Sequence, residues 1–401
     1  MPDIMGKMDI AFPHLGIYLH NIPKSFQIGN FTIALYGCIF ALGILAGMLM
    51  AAHMGKVTGQ DPDTYWDVAI WLVVFSIIGA RVYYVIFFWD AYKDDLLQIF
   101  NLRGGGLAIY GGVIAGFITL VIYSRLKKKN FLQMLDTTVY GLILGQIIGR
   151  WANFTNREVF GRYTDSLFAM RIPVEMVRER DITPDISAHI TGSINYIQVH
   201  PTFLYESLWN VGVLLVMLYF ARRKRFNGAI ALIYFGGYGL GRAWIEAIRT
   251  DQLYLIGTHI PVSEVLGILM FVLSVAAAIL AQRQVKQGKR ECIDYAAVKP
   301  FEKPAEETAA KAEPAEKPDK EAKAAKEENA GAAKEDKPEK AAEEKTAGGE
   351  DSQIPAAETE KTGASDELKD EAARAAAEFL RQSGDGSLKN SGGSTEDNAD
   401  S

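Results

Sequence analysis

Seven long apolar segments constrain the fold of this 401-residue chain more than any other feature of its sequence. They are Ile28–Met54, Trp66–Trp89, Leu107–Tyr123, Phe131–Ala152, Phe203–Phe220, Ala229–Ile248 and Ile260–Ala281. A helix needs about 20 apolar residues to cross a bilayer, and each segment is close to that length. The sequence therefore predicts an all-α polytopic membrane protein, with about seven transmembrane helices within residues 1–295.

Basic residues follow every second apolar segment. They cluster at 125–129 after the third segment, at 222–225 after the fifth and at 283–290 after the seventh. Cytoplasmic loops are enriched in Lys and Arg, so these three clusters are predicted to be cytoplasmic. The amino terminus is then outside and the carboxyl terminus inside. The polar residues that follow the fourth segment are consequently predicted to lie at the outer face.

Composition separates the end of the chain from this membrane domain. Residues 301–401 hold 15 Lys and Arg against 27 Asp and Glu, whereas residues 1–300 hold 27 basic and 21 acidic residues. A segment rich in Ala, Glu, Lys and Pro with almost no aromatic residues cannot bury enough apolar surface to fold alone. We expect residues 296–401 to be an acidic, disordered cytoplasmic tail.

The first candidate for a functional site is the polar stretch Gly149–Arg162, where the fourth apolar segment ends. Arg150 and Asn153 are three residues apart and share one face of a continuing helix. Ionisable groups at membrane depth are costly and are usually there for function. The other polar residues of the stretch are Asn156, Arg157, Glu158 and Arg162.

Three further clusters carry polar residues at the predicted outer ends of other segments. The first is glycine-rich and contains Tyr110, the second runs from His200 to Glu206, and the third lies in the sixth segment. In the third cluster Arg242, Glu246 and Arg249 are spaced i, i+4 and i+7, which places them on one helix face.

The arginines of these clusters suit the binding of an anion. Arg150 and Arg242 can each bind a phosphate through two N–H donors and stay charged when partly desolvated. Glu246 and Glu158 are candidates to pair with them. A buried Arg–Glu pair can also serve only to hold helices together, and for Arg81 in the second segment we favour that structural role.

Two other residue types leave alternatives open or predict no site. His200 either belongs to the functional site or caps the fifth helix, since Pro201 suits the first turn of a helix. Cys38 and Cys292 are predicted not to form a disulfide, and no Cys or His spacing typical of a metal site is present, so neither a metal nor a cofactor is expected.

Four motifs together resemble the prolipoprotein diacylglyceryl transferase family, over about residues 13–285. They are G-R-x-x-N-F-x-N-x-E-x-x-G at 149–161, Y-G-G at 110–112, H-P-T-x-L-Y-E at 200–206 and G-x-x-R-x-x-x-E-x-x-R at 239–249. The resemblance implies an enzyme of the bacterial cytoplasmic membrane that moves the diacylglyceryl group of phosphatidylglycerol onto the lipobox cysteine of a preprolipoprotein signal peptide. A thioether forms and glycerol phosphate is released. The implied partners are these substrates and membrane lipids, with no nucleic acid.

The resemblance also implies roles for individual residues. Arg150 and Arg242 would hold the lipid phosphate, and Glu246 would act with them. The best-known members have histidine where this chain has Tyr110, and tyrosine, with a pKa near 10, is a poor base at neutral pH. Tyr110 therefore stays a candidate catalytic residue, but the identity of the general base is open. The residues expected to contact substrate are Arg150, Tyr36, Asn153, Asn156, Glu158, Gly161, His200 and Glu206.

Two other classes of protein would use similar features. A seven-span transporter of lipids or anions could use the same arginines for binding only. Such transporters often contain an internal repeat, and none is convincing here. An intramembrane protease would need a serine–histidine or paired-aspartate arrangement at suitable depth, which the sequence does not offer.

Overall fold

The computed structural model describes residues 9–102, 105–191, 194–255, 258 and 260–302. Seven long helices dominate this part of the chain: α1 (Leu35–Val57), α2 (Pro62–Phe87), α3 (Ile109–Leu126), α4 (Phe131–Asn156), α6 (Thr202–Phe220), α7 (Ala229–Glu246) and α8 (Val262–Lys286), with the single turn α5 (Pro184–Ser187) between α4 and α6. The predicted tail lies outside the described residues from 303 onward.

Six of these helices, all except α7, are long and apolar enough to cross a membrane. The seventh, α7, is 18 residues long but contains the charged residues Arg242 and Glu246. The prediction of a mostly helical, multi-pass membrane protein is confirmed. A seventh span through α7, and the orientation of the chain in the membrane, stay predictions.

Glycines allow the helices to approach closely. A Cβ added to Gly47 on α1 would lie 2.6 Å from the backbone oxygen of Gly141 on α4, and one on Gly239 of α7 would lie 2.6 Å from that of Gly267 on α8. Real side chains cannot fit at these positions without a shift of backbone. Small residues at helix contacts are typical of membrane bundles, where close packing replaces the hydrophobic effect.

A small antiparallel sheet, which the sequence analysis did not predict, lies where α4 ends and α6 begins. The strands of the described residues are β1 (Ile10–Phe12), β2 (Ile17–Leu19), β3 (Ser25–Ile28), β4 (Phe31–Ala34), β5 (Met170–Pro173) and β6 (Tyr196–Val199). Those of the sheet have the order β2-β1-β5-β6. A separate hairpin of β3 and β4 leads into α1, so the first helix begins at Leu35 rather than at Ile28.

The strands of the sheet and the adjacent helix ends pack around one apolar core. Ile10, Ile172 and Ile197 from three strands pack with Phe160 and with Phe203 from the first turn of α6. Because these side chains come from segments far apart in the chain, the core fixes the end of α4 next to the start of α6. We call this end of the helix bundle the sheet end.

The turn after α4 is fixed by Arg157. This residue has a φ of 56°, in the left-handed region, and ends the helix. Its buried guanidinium donates to the carbonyl oxygens of Thr155 at 3.0 Å and Ile22 at 2.8 Å, and it pairs with Asp9 at 3.3 Å. These contacts offset the cost of a left-handed non-glycine residue and connect the polar stretch to the amino-terminal strands.

The opposite end of the bundle is held by a buried carboxylate. Asp136 on α4 accepts from the Lys224 ammonium at 2.7 Å and from the backbone N–H groups of Gly228 and Ala231 at 2.9 and 2.8 Å. A carboxylate from another helix thus satisfies backbone donors at the start of α7. The ring of Tyr295 lies 4.2 Å from the Lys224 ammonium, so the chain after α8 packs against the same end.

Candidate active site

Three arginines converge on one buried carboxylate at the sheet end of the bundle. Glu206, in the second turn of α6, pairs with Arg150 from α4 through one oxygen. Its other oxygen lies 3.3 Å from a guanidinium nitrogen of Arg242 on α7 and 3.3 Å from one of Arg249, just beyond α7. Glu206 therefore brings together the two arginines that the sequence analysis singled out and adds a third.

Two further carboxylates, those of Glu246 and Asp251, extend this cluster. Glu246 Oε2 lies 2.7 Å from Arg242 and 3.6 Å from Arg249, although neither contact has hydrogen-bond geometry. Arg249 also donates to both oxygens of Asp251, at 2.9 and 2.7 Å. The three arginines and the three carboxylates balance in formal charge. Like-charged guanidinium groups can be held this close only because the acids lie between them.

The members of the cluster differ in access. The side chains of Arg150 and Arg242 are 20% and 17% exposed, whereas that of Glu206 is 4% exposed. Among the described residues, Arg150 forms an ion pair with Glu206 and donates no hydrogen bond to any other residue. Most N–H donors of Arg150 therefore have no partner among the described residues, and of the three carboxylates Asp251 is the most accessible, with a side chain that is 37% exposed.

The amides of the polar stretch surround a separate acid. Asn153 and Asn156 both donate to Glu158, at 3.2 and 3.3 Å. The partner of the Glu158 carboxylate is Arg178 at 3.5 Å, rather than Arg150 or Arg242 as the sequence analysis suggested. Glu158 was expected to reach the first arginine, but the left-handed turn at Arg157 sends the chain away from the axis of α4.

Tyr36 lies near both the arginine cluster and the Glu158 carboxylate. It is in the first turn of α1, stacks on Phe40 with ring centroids 4.7 Å apart, and its hydroxyl is influenced by the charges of Glu158 and Arg150. The structure thus brings a fourth helix, α1, to the region already formed by α4, α6 and α7.

Gly161 fits a close passage between α6 and α7. Its N–H donates to the carbonyl of His200 at 2.9 Å, and a Cβ at Gly161 would lie 2.8 Å from both His200 Cβ and the Ile248 carbonyl oxygen. A side chain at this position would push apart the segments that carry Glu206 and Arg249. This contact gives Gly161 a packing role, and its predicted contact with substrate stays a prediction.

His200 lies beside the start of α6 and is held by its neighbours. Its Nδ1 is 3.2 Å from the Tyr205 hydroxyl. Burial lowers the pKa of His200 below its usual range, because the charged imidazolium loses hydration. A neutral imidazole beside α6 is consistent with either of the roles left open above.

Tyr110 does not join the cluster. It is in the first turn of α3, 38% exposed, and no hydrogen bond or ring contact within the described part of the chain involves it.

Arg81 on α2 has the structural role that we favoured, since its guanidinium donates to the carbonyl oxygens of residues 98, 99, 101, 105 and 106. It thereby holds the backbone of residues 98–101 and 105–106, which precede Tyr110 in the chain.

Sequence reasoning missed part of the cluster. Arg249 was seen on the helix face of Arg242 but was not counted as a site residue, and Asp251 was not considered. The i+7 spacing of Arg249 was the available signal. For Glu206 the sequence indicated a site residue, but not that it pairs with all three arginines.

The fold and this cluster define the class of protein: a multi-pass helical membrane protein with a cluster of paired arginines and carboxylates at one end of its bundle. A family model described as prolipoprotein diacylglyceryl transferase matches residues 23–280. The chain belongs to this family, and it is a transferase. The match covers most of the region over which the motifs resembled the family.

Curated relatives agree with the family match. Each of the three described next is named phosphatidylglycerol–prolipoprotein diacylglyceryl transferase. One from Finegoldia magna is 38% identical over 262 residues, covering 65% of this chain and 96% of the relative. One from Clostridium kluyveri is 40% identical over 254 residues, covering 63% and 94%, and one from Acaryochloris marina is 42% identical over 235 residues, covering 58% and 81%.

Proposed function

We propose that this protein transfers the diacylglyceryl group of phosphatidylglycerol to the lipobox cysteine of a prolipoprotein, in the cytoplasmic membrane of a bacterium. The names of its relatives give the reaction class. The observation that supports a site for it is the convergence of Arg150, Arg242 and Arg249 on Glu206, with Arg150 and Arg242 still accessible.

The accessible guanidinium groups are suited to the phosphate of the lipid. Each presents N–H donors in a planar fork that matches two phosphate oxygens. Arg150 is the stronger candidate for a bidentate contact with the phosphate, because Glu206 is its one partner among the described residues and most of its N–H donors are unpaired. Arg242 shares its charge with Glu206 and Glu246, so it would supply fewer donors.

The arginines would stabilise the leaving group. In the proposed reaction the cysteine sulfur bonds to the glyceryl carbon, the bond from that carbon to the phosphate oxygen breaks, and glycerol phosphate leaves with the bonding electrons. Negative charge develops on the departing oxygen in the transition state. Fixed cations in a site that excludes water stabilise such charge at no cost of reorganisation during the reaction.

The same cations favour the nucleophile. A free thiol has a pKa of about 8.5, and nearby Arg lowers it, so that more thiolate is present at neutral pH. The thiol proton can then pass to an oxygen of the departing glycerol phosphate, and the proposal needs no strong base at Tyr110. Tyr110, at the first turn of α3, is proposed to contact the substrate rather than to take its proton.

A transporter that only binds the lipid is the competing reading, and family membership does not favour it. The two are separated by an assay with purified protein, phosphatidylglycerol and a lipobox peptide. The peptide should gain a diacylglyceryl thioether, and a peptide with serine in place of the cysteine should not. Intact peptide after incubation with correctly folded protein and active lipid would refute the transferase function.

A further inference from the structure

A second polar layer lies one helical turn below the arginine cluster, on the same three helices. The spacing of four residues places each member on the helix face of the cluster residue that it accompanies. One turn corresponds to about 5.4 Å along the axis. The layer comprises Gln146 on α4, Asn210 on α6 and Tyr238 on α7, which accompany Arg150, Glu206 and Arg242 respectively.

The three residues are displaced in the same direction, away from the sheet end. On α4 and α7 the layer residue comes four positions before its cluster residue, whereas on α6 it comes four positions after. Because α6 runs antiparallel to α4 and α7, all three displacements point the same way. The Ser207 hydroxyl donates to the Ile147 carbonyl at 3.2 Å, and the Trp209 indole donates to the Gly237 carbonyl at 2.8 Å. These contacts fix the relative heights of the helices, so the layer lies deeper than the arginines.

The amide of Gln146 is only half satisfied. Its Nε2 donates to the Tyr234 hydroxyl at 2.9 Å, while its Oε1 is buried without a partner within the described residues. If the amide turns over, the Tyr234 hydroxyl can donate to the oxygen, and the N–H groups then lack an acceptor. Either orientation leaves a buried polar group of Gln146 unpaired, which is costly unless a ligand completes it.

The side chain of Asn210, on the facing helix, also lacks a hydrogen-bond partner among the described residues, although of the two amides only that of Gln146 has a fully enclosed unpaired atom. The residue surface of Asn210 is 2% exposed. A buried asparagine can donate two hydrogen bonds and accept further ones. Two unsatisfied amides on facing helices, both without charge, point to a neutral polar ligand at this depth.

We propose that Gln146 and Asn210 form an ester subsite, in which their amide N–H groups donate to the carbonyl oxygens of the lipid's two acyl esters. This inference rests on the proposed function. In a glycerophospholipid one ester is on the glyceryl carbon next to the one that carries the phosphate, the other is on the carbon beyond it, and the acyl chains extend deeper. A lipid whose phosphate contacts Arg150 thus presents acceptors about one helical turn below it.

The subsite predicts discrimination between ester and ether lipids. The test compares phosphatidylglycerol with its dialkyl ether analogue of equal chain length, which lacks both carbonyls. Gln146→Leu should lower kcat/KM about five-fold or more with the diester and less than two-fold with the diether. Asn210→Leu should act in the same sense. Thr119→Val on α3, which removes a buried hydroxyl bonded only within its own helix, should change neither value.

The outcomes separate the subsite from the reaction itself. If the unaltered protein modifies the lipobox peptide with neither lipid, the proposed function fails. If it is active but Gln146→Leu lowers kcat/KM equally for both lipids, the residue is structural and the ester subsite is refuted. Should Gln146→Leu not fold, Tyr234→Phe removes only the hydroxyl that orients the amide. A two- to three-fold loss confined to the diester supports the subsite, and an equal loss with both lipids overturns it.

Discussion

Removing the charge of Glu206 is the most informative single perturbation of the cluster. Glu206→Gln keeps the shape of the side chain but leaves three guanidinium groups, one buried and two partly exposed, facing an amide. One oxygen lies 3.3 Å from Arg242 and 3.3 Å from Arg249, and the other contacts Arg150. With an effective dielectric constant of about 20, each 3.3 Å pair corresponds to a gross attraction of about 5 kcal/mol.

The net effect is smaller than this gross attraction, because burial removes hydration from the carboxylate. Breaking a buried ion pair by removing one partner typically costs about 3–5 kcal/mol, and we expect Glu206→Gln to fall in this range. Turnover should fall at least ten-fold, since Arg150 and Arg242 repel each other when the acid between them is neutral. Adding Arg150→Met should recover part of the stability but no turnover, because Arg150 has Glu206 as its one partner among the described residues and is the cation that Glu206→Gln leaves uncompensated.

The assay measures heat-induced loss of folded protein in a mild detergent and turnover on phosphatidylglycerol. The matched control is Glu175→Gln, which removes an exposed carboxylate and should change the free energy of unfolding by no more than about 0.5 kcal/mol. If Glu206→Gln behaved like this control in both measurements, the carboxylate would not organise the arginines, and the account of the cluster would be wrong.

Four further predictions address the remaining parts of the site. Arg150→Lys keeps the charge but loses the planar fork, so kcat/KM should fall by roughly ten- to 100-fold in the peptide assay while the melting temperature stays unchanged; full activity would exclude a bidentate contact. Tyr110→Phe should keep near-normal turnover, and a large loss would show that its hydroxyl takes part in the chemistry. His200 has a lowered pKa in the folded protein, so its contribution to stability is complete above pH 6.5 and is lost as the pH falls from 6.5 through the folded pKa. His200→Gln should therefore flatten the dependence of the melting temperature on pH in this window. An unchanged pH profile would contradict this role of His200. Deleting residues 303–401 should leave turnover unaltered, and an inactive truncation would assign the tail a role in the reaction.

The sequence predicted the helical part of the fold because long apolar segments leave a chain few alternatives to membrane helices. It did not predict the small sheet. β1, β5 and β6 are three or four residues long, and β1 pairs with β5 across 160 positions of the chain, from Ala11 to Arg171, so no local pattern identifies the sheet. Only the shared core with Phe160 and Phe203 makes these short strands stable.

The site was predictable where its residues share a helix. Arg242 and Glu246 are four residues apart, and their pairing in the structure follows from that spacing. Glu206 pairs with arginines 56 and 36 residues away, and these contacts depend on how α4, α6 and α7 pack. The left-handed turn at Arg157, which directs Glu158 toward Arg178, is likewise a product of tertiary contacts.

The central claim is that Arg150 and Arg242 hold the phosphate of the lipid, and the most direct test measures that contact. Solid-state NMR can detect dipolar coupling between labelled guanidinium carbons and the phosphorus of one phosphatidylglycerol bound per protein in a phosphate-free detergent. The account predicts coupling to two arginines, with one signal lost in Arg150→Lys and the other in Arg242→Lys. Bound lipid in an active protein whose phosphorus couples to neither arginine would contradict it.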